Sequence, residues 1–142
     1  MRAQRTRCFL KHYHPSRLEA EYCDWLYARE QRGEIAHFLC QFAFPVSKTK
    51  AWKADFVVLT EKADVVETHM LNVKEVHEAK GFSRSDDNFR FKLALFFERY
   101  PGIPVFVNKR RVYPSESGKR ILNLPRKTRK RPWPKRLLRS SR

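Results

Sequence analysis

The sequence predicts an α/β protein with one mixed β-sheet flanked by helices. Apolar residues recur at helical spacing in two segments, 16–33 and 85–100. Runs rich in β-branched and aromatic residues lie between and after these segments, at 38–46, 53–59, 73–82 and 103–108. With 142 residues, of which 42% are hydrophobic, the chain is long enough to form one domain with a substantial core.

The first helix begins at Ser16, because Ser16-Arg17-Leu18-Glu19 has the pattern of a capping box. Its apolar face is predicted to comprise Leu18, Tyr22, Trp25 and Leu26. Gly33 provides the C-terminal stop. Glu19 and Glu21 lie on the shoulders of the apolar face, and periodicity does not choose which of them points toward a site. Judged by its position alone, Glu19 is a capping residue.

Three strands follow the first helix. Residues 38–46 are apolar on both faces, as in a central strand, and Pro45 and the polar run 47–50 end it. The second strand starts with Lys53-Ala54-Asp55, and the third contains Glu78-Ala79-Lys80-Gly81. The connection between them, 60–72, has at 65–68 a candidate for a short additional strand.

A carboxylate and an ammonium group share one surface of the third strand. Side chains alternate along a strand, so Glu78 and Lys80 project on the same side, about 7 Å apart. If Asp55 opens the neighbouring strand, its carboxylate joins them. Two carboxylates and an intervening backbone carbonyl are hard oxygen ligands suited to Mg²⁺, and a lysine can orient a water molecule. The alternative is a solvent-facing, salt-bridged strand edge.

The second helix is predicted to begin after an N-cap in Ser85-Asp86-Asp87 and to end at Pro101-Gly102. Its apolar face comprises Phe89, Leu93, Phe96, Phe97 and Tyr100. Arg90 and Lys92 lie off this face, as a solvated surface or as contacts to a phosphate backbone. Phe91 and Leu95 form a second apolar surface, which is a candidate dimer face.

Charge divides the chain into a nearly neutral core, 1–108, expected to be ordered from about residue 14, and a basic tail, 109–142. The first part holds 17 Lys/Arg and 14 Asp/Glu, whereas the tail holds 14 and 1. Such a block of like charge repels itself and favours a polyanion, so nucleic acid is the expected partner and the tail is expected to be flexible. The candidate nucleic-acid-binding residues are Arg84, Arg90, Lys92, Arg126, Lys127, Arg129, Lys130, Arg131, Trp133, Lys135 and Arg136.

The cysteines predict a reducing compartment, the cytoplasm. Three cysteines without CxxC spacing support neither a disulfide framework nor a zinc site. Cys8, His12 and His14 form a partial ligand set on an N-terminal segment, which is usually incidental. The basic start of the chain lacks the apolar region of a secretory signal, and no apolar run approaches the roughly 20 residues that a membrane span needs.

Four segments in this order resemble the PD-(D/E)XK nucleases, especially the phage endonuclease I type of Holliday-junction resolvase and related small phage nucleases. The resemblance covers about residues 14–108, a restriction-endonuclease-like core. Its segments are Ser16-Arg17-Leu18-Glu19, Ala54-Asp55-Phe56-Val57, Glu78-Ala79-Lys80-Gly81 and Phe91-Lys92-Leu93. Two departures exist: Ala54 stands where the motif has proline, and the long connection leaves Glu75 as a rival of Glu78.

The resemblance implies functional roles for these residues. Asp55, Glu78 and the Ala79 carbonyl would bind the metal, and Glu19 would complete the metal site. Lys80 would be the catalytic lysine. The expected ion is Mg²⁺, with Mn²⁺ as a substitute, and in-line displacement would leave 5′-phosphate and 3′-hydroxyl ends. His77 is expected to point away from Glu78 and is not assigned as the base.

The expected function is therefore a structure-specific DNA endonuclease that cuts Holliday-junction or branched DNA in a bacterial or phage-infected host cytoplasm. Because a branched substrate requires two coordinated cuts, a homodimer is expected. Two alternatives remain open at this point. One is a restriction- or mismatch-type nuclease that cuts linear duplex, and the other is a non-catalytic basic protein that binds nucleic acid through its tail.

Overall fold

The computed structural model describes residues 6–62, 72–81 and 87–125. Its two helices are α1, Arg17–Gln31, and α2, Asp87–Arg99. Its strands are β1, Thr6–Arg7; β2, Tyr13–His14; β3, His37–Pro45; β4, Ala51–Leu59; β5, Val73–Glu78; β6, Val105–Val107; β7, Arg110–Pro114; and β8, Ile121–Leu122. Within these ranges, no helix has the length and apolar character required to cross a membrane.

The main sheet contains six of these strands in the order β3-β4-β5-β6-β7-β8. Strands β5 and β6 are parallel, and every other neighbouring pair is antiparallel. Helix α2 lies in the β5–β6 connection, because parallel neighbours need a crossover. The prediction of a mixed α/β fold is thus confirmed, with a mostly antiparallel sheet. Strands β1 and β2 form a separate antiparallel pair, here called the N-terminal hairpin.

Two apolar clusters show that the helices cover opposite faces of the sheet. Leu93 and Phe96 of α2 pack in one cluster with Val57, whereas Leu26 of α1 packs in the other with Phe56 and Val58. Consecutive residues of a strand point to opposite faces, so the two clusters lie on the two sides of β4. Burial on both sides explains why β4 is almost continuously apolar after Asp55.

Helix α1 begins and ends where the sequence predicts. The hydroxyl of Ser16 accepts a hydrogen bond from the Glu19 N–H at 3.1 Å, and Gly33 adopts a φ of +73° just beyond the helix. The buried face is rotated from the predicted one, since Leu18 is 40% exposed and Cys23 is fully buried. This rotation buries Glu19.

Helix α2 has the predicted apolar face, with Leu93 and Phe96 fully buried. The proposed second apolar surface is partly wrong, because Leu95 packs against the main core. Phe91 alone of that pair is largely exposed, and the ammonium of Lys50 lies 4.5 Å from its ring centroid. The predicted strand at 65–68 and the N-cap residues Ser85 and Asp86 lie outside the described residues.

The sheet extends into the segment that the charge distribution assigned to the tail. Asn108 and Lys109 have φ angles of +49° and +66°, which is the backbone of a tight two-residue hairpin turn between β6 and β7. Val112 of β7 is 2% exposed and belongs to the core. The predicted boundary after residue 108 therefore falls inside the sheet. The prediction is wrong here because the exposed arginines of β7 give a basic composition to a strand whose valine is buried.

Candidate functional site

The carboxylates of Asp55 and Glu78 face each other across β4 and β5. The last paired positions at this end of the ladder are Phe56 and His77, and the two acids follow one residue further on. The Asp55 N–H donates to Glu78 Oε2 at 3.1 Å, and the Ala79 N–H donates to Asp55 Oδ2 at 2.9 Å. Each carboxylate is therefore held by the backbone of the other strand segment.

Glu19 brings a third carboxylate to this pair from α1. Its side chain accepts a hydrogen bond from Gln41 Nε2 at 2.7 Å. Glu19 is buried, with 5% of the residue exposed. Its negative charge acts on both Asp55 and Glu78. Within the described residues, the carboxylate does not return to the Ser16 backbone, so only half of the predicted capping box forms. Glu21, the other candidate, is exposed and paired with Arg17.

Burial and mutual repulsion raise the pKa of two of these acids. Desolvation, followed by the charge of Glu19, raises the pKa of Asp55 to about 7. Desolvation, followed by the charge of Asp55, raises the pKa of Glu78 to about 8. The backbone N–H bonds and Lys80 oppose both shifts without cancelling them. Ionising Asp55 and Glu78 together is thus unfavourable unless further positive charge is supplied.

Lys80 lies beyond the end of β5 rather than within a strand that extends to residue 82 as predicted. Its positive charge lowers the pKa of both neighbouring acids, and its Nζ lies 4.8 Å from the ring centroid of Phe89 on α2. Ala79 packs against the apolar cluster under α1. The Glu78–Lys80 alternation therefore persists for two residues after the ladder ends.

Asn108 fixes the backbone of this segment and was missed by sequence reasoning. Its amide accepts from the Lys80 N–H at 2.8 Å and donates to the Lys80 carbonyl at 2.9 Å. Its own N–H donates to the Glu78 carbonyl at 2.9 Å. An asparagine between an apolar strand and a basic strand indicates a turn, but only the sheet brings that turn beside Lys80.

Glu75, the rival of Glu78 in the sequence, makes different side-chain contacts. Glu75 Oε2 lies 2.9 Å from His77 Nε2 and 3.6 Å from Arg29 Nη1. The hydrogen bond with His77 lowers the pKa of Glu75, in contrast to the raised pKa of Glu78. His77 is 1% exposed and hydrogen-bonded to the Tyr22 hydroxyl at 2.6 Å. Both residues belong to a separate buried network with α1.

Gln41 is a second residue that the sequence did not indicate. It adopts a φ of +59°, a left-handed conformation that is costly for a side chain with a Cβ. Its amide nevertheless holds the Glu19 carboxylate. A glutamine within an apolar strand carries no sequence signal for such a conformation.

The candidate nucleic-acid-binding residues fall in two groups. Arg90 is exposed and Lys92 is half-buried, both on α2, the helix whose Phe89 contacts Lys80. The remaining candidates lie outside the described residues; they are Arg84, Arg126, Lys127, Arg129, Lys130, Arg131, Trp133, Lys135 and Arg136.

A separate group of sulfur and nitrogen donors lies beside Glu19. Cys8, His12, His14 and Cys23 each offer one ligand atom, and these four atoms lie within 4.8 Å of one another. We call this group the thiol–imidazole cluster. The sequence pattern predicts that the first three members are an incidental set, but Cys23 of α1 lies beside them as a fourth donor. His14 Nδ1 lies 3.6 Å from Glu19 Oε1 and so connects the two groups.

Any functional assignment for this chain has to rest on its side chains, because in comparisons with known proteins no protein-family model, curated protein or solved structure matches the chain. The site has two distinguishing features: a group of carboxylates on which the charge of Lys80 acts, and an adjacent group of soft ligands. We use the name carboxylate cluster for Glu19, Asp55 and Glu78.

Proposed function

We propose that the protein is a metal-dependent DNA endonuclease of the PD-(D/E)XK type that hydrolyses phosphodiester bonds, with branched or Holliday-junction DNA as its substrate. One observation carries this proposal: Asp55 and Glu78 lie against each other with raised pKa values, and the charges of Glu19 and Lys80 act on both. A solvent-facing strand edge would not bury these acids, and Glu78 is only 8% exposed.

The donor set fits a hard divalent cation. Carboxylate oxygens and a backbone carbonyl are the ligands that Mg²⁺ and Mn²⁺ prefer. The raised pKa values of Asp55 and Glu78 mean that burial and repulsion outweigh the opposing charge of Lys80, and a bound cation would offset both. Asp55, Glu78, Glu19 and the Ala79 carbonyl would hold the ion. A bound Mg²⁺ would supply Lewis acidity toward the phosphate and a more acidic water molecule.

The chain's own residues position the reacting groups. Lys80 would donate to the attacking water or to a phosphate oxygen, and its charge would stabilise the negative charge that develops there. Asn108 holds both backbone polar groups of Lys80, which limits the directions in which its side chain can reach. Gln41 holds Glu19 in a similar way. In-line displacement would leave 5′-phosphate and 3′-hydroxyl ends.

The substrate class follows from charge and exposed surface. Residues 126–142 contain nine Lys/Arg and no Asp/Glu, and such a segment favours a nucleic-acid backbone. Arg90 and Lys92 would add phosphate contacts near the cluster. The half-exposed Phe91 would lie at a homodimer interface, and two sites are what a branched substrate requires.

The decisive experiment incubates the purified protein with a labelled four-way junction and with a linear duplex of the same sequence, with and without Mg²⁺. We expect Mg²⁺-dependent cutting of the junction, and loss of cutting in Asp55→Asn with junction binding nearly unchanged. Preferential cutting of linear duplex would favour the restriction- or mismatch-type alternative. Equal cutting by wild type and Asp55→Asn, or binding without cutting by the wild type, would contradict the proposal.

A further inference from the structure

The thiol–imidazole cluster combines donors from two parts of the chain. Cys8 follows β1, His12 and His14 belong to the rest of the N-terminal hairpin, and Cys23 lies in α1. Thiolate and imidazole are softer ligands than carboxylate, and two of each is a common set for structural Zn²⁺. We propose that Cys8, His12, His14 and Cys23 form a tetrahedral zinc site that fastens the N-terminal hairpin to α1.

The distances fit such a site. With Zn–S near 2.3 Å and Zn–N near 2.0 to 2.1 Å, tetrahedral donors are separated by roughly 3.3 to 3.8 Å. Here the four donor atoms are within 4.8 Å of one another, and Cys23 Sγ lies 3.9 Å from His12 Nδ1. A contraction of up to about 1.5 Å would complete the coordination shell. Side-chain rotation can provide it without moving the strands.

The backbone between Cys8 and His12 is folded to bring these two residues together. The Lys11 N–H donates to the Cys8 carbonyl at 2.9 Å, and the Cys8 N–H donates to the His12 carbonyl at 3.0 Å. Lys11 has a φ of +64°, which is costly for a lysine and closes the turn. A strained, hydrogen-bonded turn with a ligand at each end gives the hairpin a rigid pair of donors.

His14 provides an independent indication of a ligand. It is 3% exposed, and its Nε2 is buried without a hydrogen-bond partner among the described residues. Leaving a buried polar atom without a partner is energetically unfavourable. Its other nitrogen, Nδ1, lies 3.6 Å from Glu19 Oε1. A histidine that binds zinc through one nitrogen and donates to a carboxylate through the other is a recurrent arrangement, and it leaves Nε2 for the metal.

Cys40 on β3 provides a matched comparison within the same region. Its Sγ lies 3.9 Å from Cys23 Sγ and 3.9 Å from His12 Nδ1, but it is not part of the group whose atoms all lie within 4.8 Å. All three cysteines carry free thiols. We therefore assign Cys40 as a neighbour of the site and not as a ligand.

The test uses the full chain purified without added metal. We expect about one zinc per chain by elemental analysis, and for the Co²⁺-substituted protein the absorption of tetrahedral, thiolate-bound cobalt. Cys23→Ser and His14→Asn should each bind zinc at least tenfold more weakly in competition with a colorimetric chelator, whereas Cys40→Ala should bind like wild type. Circular dichroism of each variant reports whether it is folded.

Each outcome bears on the assignment without any cleavage assay. If wild type shows no zinc at purification and takes up none when one equivalent is added, the site does not exist, and this result does not depend on any variant folding. If Cys40→Ala loses zinc while His14→Asn keeps it, the ligand set is wrong. Zinc binding would stand even if the protein cut no DNA, because it does not rest on the proposed nuclease activity.

Discussion

The carboxylate cluster and the thiol–imidazole cluster are neighbours with opposite chemistry. The first consists of hard oxygen donors on α1, β4 and β5, close to Lys80. The second consists of sulfur and nitrogen donors, most of them on the N-terminal hairpin, whose strands are two residues long. The first would accept Mg²⁺ and the second Zn²⁺. If both proposed sites bind metal, the type of ligand, rather than the distance between the sites, would determine which ion each site takes.

The two groups also differ in how they affect folding. The sheet and α1 hold the carboxylates in place, so their mutual repulsion is a cost that the core must offset. The N-terminal hairpin buries little apolar surface, because Phe9, Leu10 and Tyr13 are exposed and Cys8 is its contribution to the cluster under α1. A bound metal ion would therefore reduce the repulsion between the carboxylates of the first group. In the second group it would attach the N-terminal hairpin to α1.

Lys80→Ala should produce the largest difference between the two clusters, because it should affect DNA cutting without affecting zinc binding. Junction cutting should fall by roughly 10² to 10⁴-fold, because one positioned cation stabilising a transition state contributes on that order. Zinc content should stay at the wild-type value. Lys74→Ala is the control, since Lys74 is an exposed lysine on β5, the strand that ends shortly before Lys80. Comparable losses in both variants would show that general charge, rather than the position of Lys80, matters for cutting.

Glu78→Gln should change the pH dependence of stability. The folded-state pKa of about 8 exceeds the ordinary value of 4.5, so the folded protein holds more protons than the unfolded chain in between. The free energy of unfolding should therefore fall as pH rises from about 5 to 8, by about 1 to 3 kcal/mol in wild type and by less in the variant.

The measurement is urea unfolding at several pH values in Mg²⁺-free buffer without a chelator, so that the zinc site keeps its metal. Glu98→Gln, on the exposed side of α2, serves as the control and should follow wild type. Adding Mg²⁺ should reverse part of the loss in wild type but not in Glu78→Gln. A wild-type stability that rises with pH over this range would contradict the electrostatic account of the carboxylate cluster.

Substitution of Gln41, which contacts Glu19 at the boundary between the clusters, should have the smallest effect, a change in stability. Both Gln41→Gly and Gln41→Ala remove the hydrogen bond to Glu19, but only glycine relieves the left-handed backbone. The glycine variant should therefore be more stable than the alanine variant by about 1 kcal/mol. Ala43 is exposed on the same strand and does not have a positive φ. There the glycine variant should be the less stable one, so Ala43→Gly should be less stable than wild type. Thermal unfolding measures both differences, and equal stability of the two Gln41 variants would remove the argument for strain.

Local patterns were sufficient for several elements. The bounds of α1 follow from Ser16 and Gly33, and the buried positions of α2 follow from its period. Period 2 or continuous apolar character predicted β3 and β4 close to their observed bounds, and it predicted the start of β5, which ends at Glu78 rather than at residue 82. These signals work because capping, helical spacing and strand alternation depend on residues that are near one another along the chain.

Other features could not be predicted from local patterns, because they depend on contacts between residues far apart in the sequence. The basic composition after residue 108 obscured β7, whose strand character depends on one buried valine and on pairing with β6. Leu18 was assigned to the buried face of α1, but tertiary packing rotated that face toward Cys23. Cys23 consequently lies beside Cys8 and His12, although no sequence spacing associates the three.

By itself, the sequence determined the residue types of the site: acids at 19, 55 and 78, a lysine at 80, and thiols and imidazoles near the start of the chain. Only the tertiary structure decided which of them meet. Antiparallel pairing of β4 with β5 sets Asp55 against Glu78, and packing of the N-terminal hairpin on α1 sets His14 against Glu19. The physical reason is that pKa shifts and ligand sets depend on distances of a few ångströms between groups far apart in sequence, and only the packed chain defines those distances.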